Sequence, residues 1–334
     1  MTGPMLVVDV GGTKTSIGIA RPSTVGVDIT NVATYSNAEE SALGNVIDRY
    51  LQDREMVPAH AVIAVAGRVE DGKASITNLP WHVDVTELQR SLDLDHIRLL
   101  NDVEALALSV PHLRAGDVEQ LKACKHIEHG TIAVIAPGTG LGEAFLTQED
   151  GQYKAYATEG GHTSFAPNGD LEARLLAFLA ERVGHVSVER VCSGAGLQNL
   201  YQFLVASEGA LADEEIGHGL DQGKDVTPLI VAHALQGSQP TCVRAVELLV
   251  SILGAEAGNL ALKVLANSGI YLGGGMPGRI APFLRTTAFE DAFTSKGRFA
   301  HWLREVPIWM ITHPHAVLAG AAAFGITLRT AEGT

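Results

Sequence analysis

Two carboxylates close apolar runs in this chain, each beside residues suited to holding a substrate. Asp9 ends the run from Met5 and opens a turn through Gly11, Gly12, Thr13 and Lys14, after which Ile17 and Ile19 alternate with small residues. Glycines there allow positive φ and close approach of a ligand, and successive N–H groups with a hydroxyl form a concavity for an anion. The same residues would also make an ordinary tight hairpin. A second copy of the design lies far downstream, where Thr131–Pro137 runs into Gly138, Thr139, Gly140 and Gly142. Two such turns on opposed domains would hold the β- and γ-phosphates of a nucleotide from two sides. Neither is a P-loop, because Thr13 sits between Gly12 and Lys14. Nor is Gly138–Gly142 a dinucleotide fingerprint, because its spacing is wrong and a strand follows.

The second carboxylate is Asp102, which follows Asn101 after the short apolar run Ile97–Leu100. The carboxyl end of a strand is where α/β sheets place their sites. Asp102 reads either as a helix N-cap or as a general base. As a base it would take the proton of a substrate hydroxyl attacking a γ-phosphate, with Asn101 bonded to the same substrate. Glu159-Gly160-Gly161-His162 and Glu189 offer carboxylates and an imidazole, good partners for sugar hydroxyls. His162 lacks the cysteine neighbours of a zinc site, and Glu189 beside Arg190 would also fit a surface ion pair. Gly273, Gly274 and Gly275 after a strand leave room for the flat ring of an adenosine, or make a plain strand-to-helix turn.

A chain of 334 residues can bury two cores, and its balance of 46% hydrophobic and 19% charged residues is that of a soluble globular protein. The net charge of −14 argues against a nucleic-acid partner, though not against a single nucleotide. Cys124, Cys192 and Cys242 lie far apart with no metal-ligand spacing, as expected in a reducing compartment. The N-terminal residues have no basic run before the first strand, and Ala316–Leu328 is too short to span a bilayer. A cytoplasmic protein without a membrane partner is expected.

Periodicity places these residues on elements. After the first hairpin come a strand near Val25–Ala33, a helix over Ala38–Leu51, a strand over His60–Ala66 and a loop over Arg68–Pro80. A helix near Asp84 or Thr86, the strand Ile97–Leu100 and a helix over Val103–Val110 follow. The second part repeats the order: strands through Thr131–Ala136, Gly142–Leu146 and Gln152–Thr158, then the helix Asp170–Val183. Glu208–Val226 reads as a polar, mobile excursion. Helices over Thr227–Leu235 and Thr241–Leu265 precede the strand Gly269–Leu272, a helix from Pro277, the strand Val306–Ile311 and an Ala-rich final helix. Two βββαβα units facing across a cleft are expected: a small α/β domain of residues 1–111 plus 315–334, and a large one of 112–314.

Several segments carry a family resemblance. DVGGT at Asp9–Thr13, TNLPW at Thr77–Trp81, NDVEA at Asn101–Ala105, GTGLG at Gly138–Gly142 and EGGHTSFAP at Glu159–Pro167 come in order along the chain. ERVCSGAGLQNLY at Glu189–Tyr201, YLGGG at Tyr271–Gly275 and KGRF at Lys296–Phe299 complete the set. Together they resemble the bacterial-type glucokinases of the actin/hexokinase-like (ribonuclease H-like) ATPase superfamily over nearly the whole length. The resemblance implies transfer of the ATP γ-phosphoryl group to the 6-hydroxyl of glucose, with Asp102 as base. Asn78, Asn101, Glu159, His162 and Glu189 would bind the sugar. Gly11, Gly12, Thr13 and Thr139 would hold phosphates, with Lys14 and Gly138 beside them. Asp9 would hold Mg²⁺ through water, and Gly273–Gly275 would lie near the adenosine. A homodimer is also implied. Lys14 and Thr15 stand where close relatives carry Asn-Ala, and GGTK resembles the repressor/ORF/kinase branch. That branch carries a Cys-rich zinc motif missing here. The competing readings are another hexose, ADP or polyphosphate as donor, or a sugar-binding regulator on the same fold.

Overall fold

The computed structural model describes residues 3–23, 26–54, 58, 60–76, 79–124 and 127–332; Asn78 lies outside the described residues. It divides into two compact units. One comprises Met1–Asp117, Gln148–Ala157 and His313–Thr334, the other Val118–Thr147 and Thr158–Thr312.

In chain order the first part contains β1 (Met5–Val10), β2 (Lys14–Ser23), β3 (Gly26–Ser36), α1 (Leu43–Gln52) and β4 (His60–Val65). It continues with β5 (Val69–Glu70), β6 (Lys73–Ser75), β7 (His82–Asp84), α2 (Val85–Leu92), β8 (His96–Asn101) and α3 (Asp102–Ser109). Next come β9 (Val118–Lys122), β10 (Ile132–Pro137), β11 (Leu141–Glu149), β12 (Gln152–Thr158), α4 (Asp170–Val183), α5 (Gly194–Ser207), α6 (Glu214–Asp221) and α7 (Thr227–Gln236). The chain then forms α8 (Pro240–Val264), β13 (Gly269–Leu272), α9 (Ala281–Leu284), α10 (Thr287–Thr294), α11 (Ala300–Arg304), β14 (Ile308–Ile311) and α12 (Ala316–Glu332).

The main sheet of the first unit has the order β3-β2-β1-β4-β8. Its β1, β2 and β3 are antiparallel neighbours, while β1, β4 and β8 run parallel. Central parallel strands are covered on both faces, which is why β1 and β4 read as unbroken apolar runs. Alternate residues serve opposite cores. Leu6, Val8, Val10, Ile63 and Val65 pack with Val46, Ile47 and Leu88 of α1 and α2. Met5, Val7, Val62 and Ala64 pack with Ala105, Leu318, Ala321 and Ala322 of α3 and α12. The second sheet has the order β12-β11-β10-β13-β14-β9, with β10 antiparallel to β11 and parallel to β13, and β13 parallel to β14. In each sheet, therefore, an antiparallel pair leads into two further parallel strands.

Several elements differ from the sequence expectation. The expected loop over Arg68–Pro80 holds β5 and β6, which join β7 in a small antiparallel sheet. Its turn is Asp71-Gly72, both at positive φ, the residue pair that tight hairpins favour. The polar stretch Glu208–Val226 is not a structureless excursion: it contains α6, capped by Asp213 and anchored by the fully buried Ile216. One apolar anchor in an acidic segment is too little to show periodicity. The helix expected from Pro277 is a turn, and α9 starts at Ala281. The edge strand β9, antiparallel to β14, had no expected counterpart. By length and composition α8 could cross a membrane, but 78% of its apolar window is buried inside the protein.

Candidate active site

In the first unit, register brings Asp9 and Asp102 to one edge of the sheet. Asp9 pairs with Ala64 across β1 and β4, and Val65 pairs with Asn101 across β4 and β8, so both acids lie at the C-terminal ends of parallel strands. Asn101, not Asp102, is the N-cap of α3: its Oδ1 accepts the N–H groups of Val103 and Glu104 at 2.9 and 3.1 Å. Its Nδ2 donates to the Gly67 carbonyl at 3.2 Å, which leaves one amide hydrogen for a substrate. Asp102 is the first residue of the helix, where Oδ1 also accepts from Val103 N–H.

Asp9 keeps part of its surface open to solvent, yet the surrounding sheet pushes its carboxyl up to about 7. Desolvation is the larger cause and the Asp102 carboxylate the next, while the Lys14 ammonium opposes both. His315 is pushed down by burial first, then by the charges of His313 and Lys14. The Lys14 charge is therefore felt at Asp9 and at the start of α12. The turn itself closes with the Gly11 N–H donating to the Lys14 carbonyl at 3.0 Å, and leaves Thr13 and Lys14 exposed.

In the second unit the Gly138–Gly142 turn is stitched to three other segments. Gly138 N–H donates to the Gly140 carbonyl at 2.8 Å, and Gly194 N–H donates to the Gly138 carbonyl at 2.8 Å. That bond sets the Ser193-capped N-terminus of α5 beside the turn. Gly273 N–H donates to Ile135 and Met276 N–H to Pro137, which sets the three-glycine turn against the end of β10. Gly274 has φ +80°, and a Cβ there would come within 2.7 Å of the Pro137 carbonyl.

Glu189 supplies the third stitch, its Oε2 accepting the Leu141 N–H at 2.9 Å. Its carboxylate is thus spent partly on the turn rather than on Arg190. Glu159 and His162 flank a short helical turn, with His162 Nε2 3.8 Å from Glu159 Oε2 and both side chains largely exposed. Thr163 and Phe165 bond the strand-like segment Val186–Val188, which carries the turn next to Glu189. Glycine at 161 is required sterically, since a Cβ would fall on the Leu141 carbonyl.

Two supporting residues gave no sequence signal. Asn37 is buried behind the Gly11–Thr13 turn, and Glu143 is buried behind Gly160, its carboxylate occupying the place of a Cβ at that position. Glu143 Oε1 has no hydrogen-bond partner, and burial, then Glu256, pushes its carboxyl up to about 7 against the pull of Lys263.

The first unit offers a glycine turn able to receive an anion and a carboxylate pair; the second offers another such turn and a patch of exposed carboxylate and imidazole. Such a set suits phosphoryl transfer to a polyhydroxylated acceptor. The glucokinase family model matches residues 6–327. The chain belongs to the glucokinase family. A glucokinase from Yersinia pestis is 38% identical over 324 residues, covering 97% of each chain. The crystal structure of a glucokinase from an Antarctic psychrotroph superposes with a TM-score of 0.83 at 31% identity, covering 97% of this chain and 99% of that one. A glucose-bound glucokinase from Balamuthia mandrillaris gives 0.81 at 22% identity, covering 97% and 93%; at that identity the likeness is one of fold. The activity of this family member is the ATP-dependent phosphorylation of glucose.

Proposed function

We propose that Asp102 is the general base of this reaction, taking the proton of the glucose 6-hydroxyl as that oxygen attacks the γ-phosphorus of ATP. The observation that supports this reading is its setting: a carboxylate in the first turn of α3, at the C-terminal end of the parallel edge strand β8, electrostatically coupled to Asp9. In-line transfer needs no strong base, because the proton leaves late in a loose transition state, and positioning supplies most of the rate. Asn101, held rigidly by its cap bonds, Glu159, His162, Glu189 and Asn78 bind the remaining hydroxyls. Carboxylates accept two O–H donors each, which orients the sugar as well as binding it. Gly11, Gly12, Thr13, Lys14, Gly138 and Thr139 receive the phosphates, and Gly273, Gly274 and Gly275 border the adenosine.

Mg²⁺ fits Asp9. Among the described residues no three His, Cys, Asp or Glu side chains converge into a metal cage. Mg²⁺ is commonly held by one or two carboxylates, waters and substrate phosphates instead. A cation would also relieve the repulsion between Asp9 and Asp102. Bound through water at Asp9, it would neutralise charge on the phosphate oxygens.

On this reading the protein belongs to the actin/hexokinase-like fold, with domains of residues 1–111 plus 315–334 and 112–314, and works in the cytoplasm as a homodimer. The test pairs Asp102→Ala with a substrate panel. With Mg-ATP and glucose the wild type forms glucose 6-phosphate, and the variant loses at least about 100-fold in kcat. Near-wild-type turnover would remove Asp102 from the chemistry. Comparing hexoses, and ATP with ADP and polyphosphate, by kcat/KM fixes the specificity, and light scattering the assembly.

A further inference from the structure

We infer that Asn37 is a positioning residue for ATP: it fixes the peptide groups of the Gly11–Lys14 turn in the orientation that a phosphate requires. The inference rests on the reading of that turn as a phosphate site. Asn37 follows β3 and lies more than twenty residues from the turn, with only 2% of its surface exposed. A buried amide is costly unless every polar group is met. Here both side-chain bonds and the backbone N–H bond go to one short stretch, while the backbone carbonyl accepts from Glu40 N–H at 3.4 Å. Nδ2 donates to the Gly11 carbonyl at 2.8 Å, Oδ1 accepts from the fully buried Thr15 hydroxyl at 2.7 Å, and the backbone N–H donates to the Thr13 carbonyl at 3.0 Å.

The consequence follows from the planar trans peptide, in which C=O and N–H point to opposite sides. Holding the Gly11 and Thr13 carbonyls turns the N–H groups of Gly12 and Lys14 away from Asn37. Those are donors of the kind that backbone anion sites use. Glycine adopts positive and negative φ with equal ease, so without this grip the Gly11–Gly12 peptide would be free to rotate. Asn37 therefore removes freedom that ATP binding would otherwise have to remove, which is how preorganisation raises affinity. Thr15 acts one step further back, by orienting the Asn37 amide so that Nδ2 faces Gly11.

The test is steady-state kinetics of Asn37→Ala and Thr15→Val, varying Mg-ATP at saturating glucose and glucose at saturating Mg-ATP, alongside Tm. Loss of one oriented hydrogen bond corresponds to about a tenfold change. Asn37→Ala should raise KM for ATP about tenfold and leave KM for glucose within about twofold, and Thr15→Val should move KM for ATP in the same direction by less. Equal changes in both KM values, or a fall in Tm with neither KM moved, would overturn the inference. Should Asn37→Ala not fold, the near-isosteric Thr15→Val decides by the same criterion. Thr13→Ala, in the turn itself, separates the two levels. If it leaves KM for ATP unchanged, the phosphate reading of the turn fails. If it raises KM for ATP while Asn37→Ala and Thr15→Val do not, only the role of Asn37 falls.

Discussion

Replacing Glu143 with Gln tests how the fold tolerates an acid buried behind the Gly160–Gly161 turn. Glu143 is 2% exposed, its Oε1 has no partner, and its carboxyl titrates near 7 instead of 4.5. Below pH 4.5 the folded and unfolded chains both carry the proton, and the residue costs nothing. Between 4.5 and about 7 the unfolded chain has lost the proton while the folded one keeps it, so stability falls as pH rises. Above that range both are ionised and the cost levels at about 3 kcal/mol. From pH 5.5 to pH 8 the wild type should therefore lose about 2 kcal/mol relative to Glu143→Gln, or roughly 4–8 °C in Tm for a unit of this size. Any cost of seating the amide is independent of pH and cancels in that difference. Calorimetry of both proteins across this range reads it directly. Parallel Tm curves would refute the argument, because they would mean that the Glu143 carboxyl ionises alike in the folded and unfolded chains.

Three further outcomes are expected. Asp102→Asn keeps the shape of the α3 first turn but cannot accept a proton, so kcat should fall by about 10²–10⁴ with both KM values near wild type; rapid-quench single turnovers would place the loss in the chemical step. Gly161→Ala drives a Cβ into the Leu141 carbonyl and must shift the turn between Glu159 and His162, so KM for glucose should rise severalfold while KM for ATP holds; calorimetric titration with glucose alone checks it. Gly320 lets α12 approach α3, where a Cβ would strike the Ala105 carbonyl, and Gly320→Val should cost at least about 1–3 kcal/mol in urea unfolding.

The local chemistry was legible in the sequence. The apolar runs that became β1, β4 and β10, the glycine turns after them, and the Asn101-Asp102 step from strand to helix are decided within a few residues by side-chain size and backbone freedom. Even there one role was exchanged: Asn101 is the cap, because its side chain reaches the Val103 and Glu104 N–H groups and leaves Asp102 a position inside the helix. Four short elements escaped, β5 with two residues, β6 with three, β9 with five and α6 with eight, because none is long enough to carry a clear period. What tertiary structure alone decided is the support behind each turn. The Asn37 bonds to Gly11 and Thr15 span 26 and 22 residues, and the Glu189 bond to Leu141 spans 48. Glu143 reads as one more acid after a glycine until β11 buries it against Gly160 and the field of Glu256. A turn's own residues determine what it can bind. Which carbonyls are held, and which carboxyl keeps its proton, depend on neighbours that meet only when strands distant in the chain take their register.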